Sequence, residues 1–124
     1  METQRLVVRI MAGSLLLAVG LDKLFGFYPL PTGTPEADAF VDALHATEYM
    51  MPLVALVEIM GALSFLSGRY VPLAAIIIAP VSVNAFLFHL FLSPAAMIPT
   101  TLLLVLNLII LVAERRHYRQ LFRP

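Results

Sequence analysis

The sequence predicts an all-α integral membrane protein, in which four helices form a bundle with both termini in the cytoplasm and one amphipathic helix in the first outer loop. Hydrophobic residues make up 60% of the 124 residues, charged residues make up 13%, and the mean hydropathy is +0.91. A soluble core of this length could not bury so much apolar surface. Eight basic side chains balance eight acidic ones, so the positive surplus typical of nucleic-acid binding is lacking.

Long apolar segments indicate the membrane-crossing helices of a single domain, residues 1–124. Each has roughly the 17 to 25 residues that a helix needs to cross a bilayer. These segments cover residues 6–27, 49–66, 71–92 and 96–113. The first could instead be a cleaved secretory signal, but it is long for a signal and ends in the charged pair Asp22–Lys23.

The distribution of charges predicts the orientation. Arginines occupy the N-terminal tail, the turn between the second and third segments and the C-terminal tail, and basic residues collect on the cytoplasmic side of membranes. Residues 28–48 contain acidic residues and no Lys or Arg, which places them on the outer side. Thr34 followed by Pro35 predicts a helix start, and apolar residues then recur at helical spacing. We expect residues 35–47 to form an amphipathic helix that lies in the interface or covers an outward-facing cavity.

Polar side chains inside the apolar segments are candidates for a ligand-binding pocket, because their placement in lipid is costly. They are, in chain order, Arg9, Lys23, Glu58, Asn84, His89 and Asn107. With a rise of about 1.5 Å per residue along each predicted segment, Glu58, Asn84 and Asn107 lie near the middle of the membrane. We expect Arg9 to reach Glu58 and form an ion pair that Asn84 completes. Such a layer either holds the bundle together or binds a quinone, a proton or another small ligand.

Lys23 and His89 form a second polar layer nearer the outer surface, together with Asp22, and His45 and Glu48 of the outer segment are further candidates for it. Neither a metal nor a haem is predicted, because the histidines lack the spacing of a local metal site and only His89 lies within an apolar segment. The sequence has no cysteine, so thiol chemistry of its own is excluded. It also shows no self-contained catalytic motif, which leaves open whether the protein is an enzyme. Any redox activity would need an external quinone or a partner subunit.

Glycine and proline add two expectations about packing. Gly13 and Gly20 lie seven residues apart in the first segment, and Gly61 and Gly68 do so near the end of the second, a spacing that favours close helix contact. Pro80 lies inside the third segment, where its missing N–H should kink the helix near Asn84.

Several residues and motifs follow one another in a characteristic order and spacing: Arg9, Gly13, Gly20, Asp22–Phe27, Pro52–Leu53, Glu58–Gly61, Gly68–Tyr70 and Asn84–His89. This pattern resembles that of the DoxX family of small bacterial membrane proteins. The resemblance implies a four-helix bundle in the bacterial inner membrane, and some members are linked to membrane redox work such as thiosulfate oxidation coupled to quinone. Arg9, Lys23, Glu58 and Asn84 match polar positions of the family pattern, whereas the helix at 35–47 takes no role from it.

These observations predict an accessory subunit of a membrane redox system, with a polar intramembrane pocket for quinone or another small ligand. Its expected partners are the lipid bilayer and either a redox subunit or further copies of the chain. The alternative is a non-enzymatic assembly protein that contacts partners through the 35–47 helix and the basic tail. A small-molecule transporter is less favoured, because four short helices offer too thin a bundle for an internal path unless the protein oligomerises.

Overall fold

A computed structural model describes residues 2–26 and 34–124, and every regular element in this part of the chain is helical. The α-helices are α1 (Glu2–Phe25), α2 (Pro35–Ala46), α3 (Met50–Ser67), α4 (Val71–Leu92) and α5 (Met97–Ala113). Short 3₁₀ helices follow α4, at Pro94–Ala96, and α5, at Arg115–Phe122. The all-α class is therefore confirmed, while the predicted end of the first segment at Phe27 and residues 28–33 of the acidic outer segment lie outside the described residues.

Two of the described helices, α3 and α4, are long and apolar enough to cross a membrane. A third crossing is added if α5 and the 3₁₀ helix Arg115–Phe122, which meet at an angle of 74°, count as one bent span. These apolar helices are those of a membrane protein in contact with the lipid bilayer. A crossing by α1, which has ionisable side chains near both ends, stays a prediction.

The four longer helices pack in a closed ring. α1 lies against α3 and α5, α4 lies against the same two helices, and α2 rests on α3 and α4. The centre of the ring is filled by aliphatic and aromatic side chains, among them Leu16, Phe65 and Ile78, which are fully buried. Large apolar side chains also point outward, such as Met60 and Ile98, and lipid would cover them in a membrane. α4 is one continuous helix through Pro80.

Glycines allow α1 to approach α3 closely, as the sequence predicted. A Cβ atom at Gly13 would lie 2.8 Å from Cγ of Leu66 and 3.1 Å from the carbonyl oxygen of Ala62. A Cβ atom at Gly20 would lie 2.9 Å from Cγ1 of Ile59. The two helices are therefore antiparallel, with the later part of α1 beside the earlier part of α3.

The ring has two chemically different ends. The α2 end comprises α2, the last turns of α1 and α4, and the first turns of α3 and α5. The arginine end comprises the first turns of α1 and α4, the last turns of α3 and α5, and the 3₁₀ helix Arg115–Phe122. At the arginine end, the Tyr118 hydroxyl donates a hydrogen bond of 2.8 Å to the Pro72 carbonyl oxygen, which holds the C-terminal 3₁₀ helix against the start of α4.

Candidate ligand-binding cavity

A cavity of about 410 Å³ opens at the α2 end, and all of α1 to α5 contribute to its wall. This volume is in the range of small-molecule sites, roughly 300 to 1,000 Å³. Most of the wall is apolar and includes Leu15, Val19, Val41, Leu44, Val54 and Leu103. The polar side chains in the wall are Asp22, Lys23, Glu58, Asn84, His89 and Thr100. We call this space the α2 cavity.

An ion pair between Lys23 and Glu58 forms the most strongly polar part of the wall. Nζ of Lys23 lies 3.0 Å from Oε1 and 3.1 Å from Oε2 of Glu58, so one ammonium group serves both carboxylate oxygens. The Glu58 side chain is only 4% exposed, whereas that of Lys23 is 27% exposed. The close packing of α1 on α3 at Gly20 brings the two helices together, and Lys23 lies one helical turn further along α1.

The predicted ion pair between Arg9 and Glu58 is wrong. The Arg9 guanidinium packs over Gly68, where a Cβ atom would lie 2.7 Å from Nη1 of the arginine. Gly68 follows Glu58 by ten residues, which is about 15 Å along a helix. Because α1 and α3 are antiparallel, Lys23 is the cation that meets Glu58, and Arg9 does not line the α2 cavity.

Asn84 and His89 lie on α4 and line the cavity together with Phe88. Nδ1 of His89 lies 3.3 Å from the Ser93 carbonyl oxygen. A neutral imidazole that donates from Nδ1 has Nε2 as an acceptor. The Phe88 ring makes an edge contact with His89, with ring centres 5.0 Å apart, and lies 5.3 Å from the Phe40 ring of α2. Three ring systems therefore lie together where α2 meets α4.

Asn107 is placed away from the cavity, although the sequence grouped it with Glu58 and Asn84. It is fully buried, and its Nδ2 donates to the Ala75 carbonyl oxygen at 3.2 Å. Its Oδ1 accepts a hydrogen bond of 3.0 Å from the Ser82 hydroxyl. Because both ends of the amide are bound within the protein, Asn107 joins α5 to α4. Ser82 was not predicted as its partner, and a lone hydroxyl within an apolar segment was the available signal.

α2 forms one side of the cavity and is fixed at its first turn. The Thr34 hydroxyl accepts a hydrogen bond of 3.1 Å from the Ala37 amide, which caps α2 as the Thr34–Pro35 pair predicted. The same hydroxyl donates to the Leu92 carbonyl oxygen at the end of α4. Phe40, Val41 and Leu44 then line the cavity. The helix thus covers the cavity from the side where α4 ends.

The composition of the cavity favours an organic ligand. Within residues 2–26 and 34–124, no three His, Asp or Glu side chains lie close enough to hold a metal ion. Apolar walls with a few hydrogen-bonding groups instead suit a molecule that has a polar head and an apolar body.

Comparison with protein families agrees with the sequence pattern. The DoxX family model matches residues 5–91, which is more than half of the chain. The chain belongs to the DoxX family. The DoxX match runs from α1 almost to the end of α4 and includes Lys23, Glu58 and Asn84, whereas Thr100 and Leu103 of α5 lie beyond it. No curated protein and no solved structure matches the chain.

Proposed function

We propose that this DoxX protein is a multi-pass protein of the bacterial inner membrane that binds a quinone in the α2 cavity and serves as an accessory subunit of a membrane redox system. The observation that carries the proposal is the Lys23–Glu58 ion pair in the wall of an otherwise apolar cavity. A quinone head has two carbonyl oxygens that accept hydrogen bonds, and its tail is apolar. The cavity offers features that match both parts.

The hydrogen-bonding groups of the cavity fit a quinone head. The Lys23 ammonium has donor capacity beyond the two contacts with Glu58, since an ammonium group carries three N–H bonds. The Asn84 amide adds further donors, and Asn84 makes no hydrogen bond to another described residue. Leu15, Val19 and Leu103 provide apolar surface for the ring and the first part of the tail. Under the proposal, these residues bind and orient the quinone.

An accessory role fits the chemistry of the chain better than an independent enzyme. The sequence has no cysteine, so neither a dithiol nor a thiolate-bound cluster of its own can exchange electrons. The electrons for quinone reduction would therefore come from a partner subunit. In this arrangement the DoxX protein supplies the quinone site and the partner supplies the redox centre.

The proposed topology has four crossings, by α1, α3, α4 and α5, with the arginine end in the cytoplasm. Arg5, Arg69 and Arg116 belong to that end, in agreement with the preference of cations for cytoplasmic segments. α2 carries Glu36, Asp38 and Asp42 and would lie on the outer side. The α2 cavity then opens near the outer leaflet, from which a quinone can enter.

The test is stabilisation of the purified protein by a short-chain quinone. At a concentration 100 times the dissociation constant, binding to the folded state should raise the free energy of unfolding by about 2.7 kcal/mol. The double variant Lys23→Met with Glu58→Met should lose this increase, while Glu36→Gln on the exposed face of α2 should keep it. Equal stabilisation of all three proteins, or of none, would contradict the proposed site.

The exposed face of α2 favours a second candidate, a non-enzymatic assembly protein. Glu36, Asp38 and Asp42 are all exposed, and Asp38 and Asp42, four residues apart, give one face of the helix a negative charge. A partner with a basic surface would recognise it. Replacing the three acids by their amides should then abolish co-purification of the partner and leave the quinone effect unchanged. Unchanged recovery of the partner would exclude this face as the binding surface.

A further inference from the structure

A second cavity, of about 370 Å³, lies at the arginine end between α1, the start of α4 and the end of α5. Its polar lining residues are Gln4, Arg5, Arg9 and Glu114. It shares no lining residue with the α2 cavity and lies at the opposite end of the ring. We call it the arginine-end cavity, and its chemistry is independent of the function proposed above.

Two guanidinium groups in this cavity have uncompensated charge. Arg5 and Arg9 are four residues apart and therefore share one face of α1. Neither forms an ion pair with another described residue, and the buried Nε of Arg9 has no hydrogen-bond partner among them. The acid in the lining, Glu114, has Oε2 2.9 Å from Nδ1 of His117. A buried N–H group needs a hydrogen-bond acceptor, and beside two guanidinium charges an anion is the acceptor that binds most strongly.

The remaining wall of the cavity is apolar. It consists of Val8, Val71, Ile109, Ile110 and Ala113. Ile109 is 46% exposed, so this wall continues onto the outer surface of α5. A small inorganic anion would satisfy the arginines and leave the apolar wall uncovered. An amphiphile with an anionic head would cover both.

We propose that the arginine-end cavity binds an anionic phospholipid, with its phosphate between Arg5 and Arg9 and one acyl chain along the apolar wall formed by α1 and α5. α4 and the bent pair of α5 with the C-terminal 3₁₀ helix are candidate membrane spans, so a bilayer lipid can reach this surface. Gly68 supports the arrangement, because its missing side chain makes room for the Arg9 guanidinium. Arg69, Arg115 and Arg116 lie at the same end and add to the positive potential.

The experiment is native mass spectrometry of the full chain in detergent, titrated with phosphatidylglycerol and, separately, phosphatidylcholine. The unmodified protein should bind phosphatidylglycerol more tightly. Arg5→Gln and Arg9→Gln should each weaken that binding about fivefold, and binding of phosphatidylcholine should change little. Arg116→Gln is the matched control, because this arginine belongs to the same end but does not line the cavity. If Arg116→Gln weakens binding as much as Arg9→Gln, the attraction is diffuse and the proposed site is wrong.

Two further experiments distinguish binding of the whole lipid from binding of its headgroup alone, and from a loss of binding caused by misfolding. Glycerol phosphate, which has no acyl chain, should not displace phosphatidylglycerol at equal concentration. Displacement would mean that the site binds a free phosphate and not a lipid. Ala113→Phe retains both arginines but fills the apolar wall, so it should also weaken phosphatidylglycerol binding. Unchanged lipid binding by Ala113→Phe would overturn the proposal even if Arg9→Gln failed to fold.

Discussion

Glu58 is an acid in the middle of an apolar helix, and the Lys23 ammonium compensates its charge. Both carboxylate oxygens lie within 3.1 Å of that one group. The two sides of the pair differ in exposure, since the Glu58 side chain is 4% exposed and the Lys23 side chain is 27% exposed. Removal of the cation therefore leaves a more enclosed charge than removal of the anion does.

Lys23→Met should destabilise the protein more than Glu58→Gln does. Loss of one member of a fully buried pair costs roughly 3 to 5 kcal/mol, and the exposure of Lys23 lowers the expected value to about 2 to 3 kcal/mol. The double variant Lys23→Met with Glu58→Gln should be less destabilised than the sum of the two single changes. Denaturant unfolding in micelles measures these values, with Glu36→Gln as the control. Additive effects would show that the two side chains do not interact.

The sequence identified Glu58 as a member of an ion pair but paired it with the wrong cation. Helical spacing places four residues on one face of α1, namely Arg9, Gly13, Gly20 and Lys23. Either of the two cations, Arg9 or Lys23, could therefore lie on the face of α1 that meets α3. The choice depends on how far α1 is shifted along α3, and only packing fixes that shift. In the structure, two contacts fix the shift of α1 along α3: Gly20 lies beside Ile59, and Gly68 lies beside the Arg9 guanidinium.

Contact between α1 and α3 is the packing feature on which the α2 cavity depends. Gly20→Val should push α1 away from α3, because even a Cβ atom there would lie 2.9 Å from Ile59 Cγ1 and 3.3 Å from the Ala55 carbonyl oxygen. We expect a loss of about 1 to 3 kcal/mol of stability together with weaker quinone binding. Ala18→Val, on the exposed side of α1, should change neither. Normal quinone binding by Gly20→Val would show that the cavity does not need this contact.

The start of α2 should control its local stability. Thr34→Val removes the cap on the Ala37 amide and the hydrogen bond to the Leu92 carbonyl oxygen. Loss of a cap costs about 1 kcal/mol, so hydrogen exchange in α2 should become faster while α3 and α4 keep their protection. Thr3→Val, which is exposed on α1, is the control. Equal protection of α2 in both variants would mean that Thr34 does not fix this helix.

Helices were more predictable than the contacts between them. Long apolar segments indicated where α3, α4 and α5 lie, and the Thr34–Pro35 pair indicated where α2 begins. The apolar composition of a membrane helix does not show which of its faces points toward the other helices, because most faces of such a helix are equally apolar. For that reason the sequence does not show which residue Asn107 faces, although the lone hydroxyl of Ser82 is a signal for its partner.

At the scale of the whole molecule, each end of the ring has its own largely apolar cavity with a few charged groups, and the charges around the two cavities have opposite sign. The α2 end carries the exposed acids of α2, whereas the arginine end carries Arg5, Arg69 and the basic C-terminal residues. Such an asymmetric molecule should insert in one orientation, with the arginine end in the cytoplasm.

The absence of native cysteine makes this orientation simple to test. Asp42→Cys in α2 and Arg116→Cys in the C-terminal 3₁₀ helix each introduce a single thiol at an exposed position. A membrane-impermeant maleimide should label Asp42→Cys in spheroplasts, and should label Arg116→Cys only after the membrane is permeabilised. The opposite pattern would show the inverted topology. Labelling of both thiols in sealed spheroplasts would show that α2 and the C-terminal 3₁₀ helix lie on the same side of the membrane.

Photoaffinity labelling with an azido-quinone tests the central claim most directly, because it reports where a quinone binds in the intact protein. Peptide mapping should find the label on the walls of the α2 cavity, in the part of α2 that includes Phe40 and Leu44 and in α4 around Asn84 and Phe88. Excess unlabelled short-chain quinone should prevent this labelling, and the double variant Lys23→Met with Glu58→Met should greatly reduce it. Label confined to lipid-facing residues such as Met60 and Ile98, or label that excess quinone does not displace, would contradict a quinone site at the Lys23–Glu58 pair.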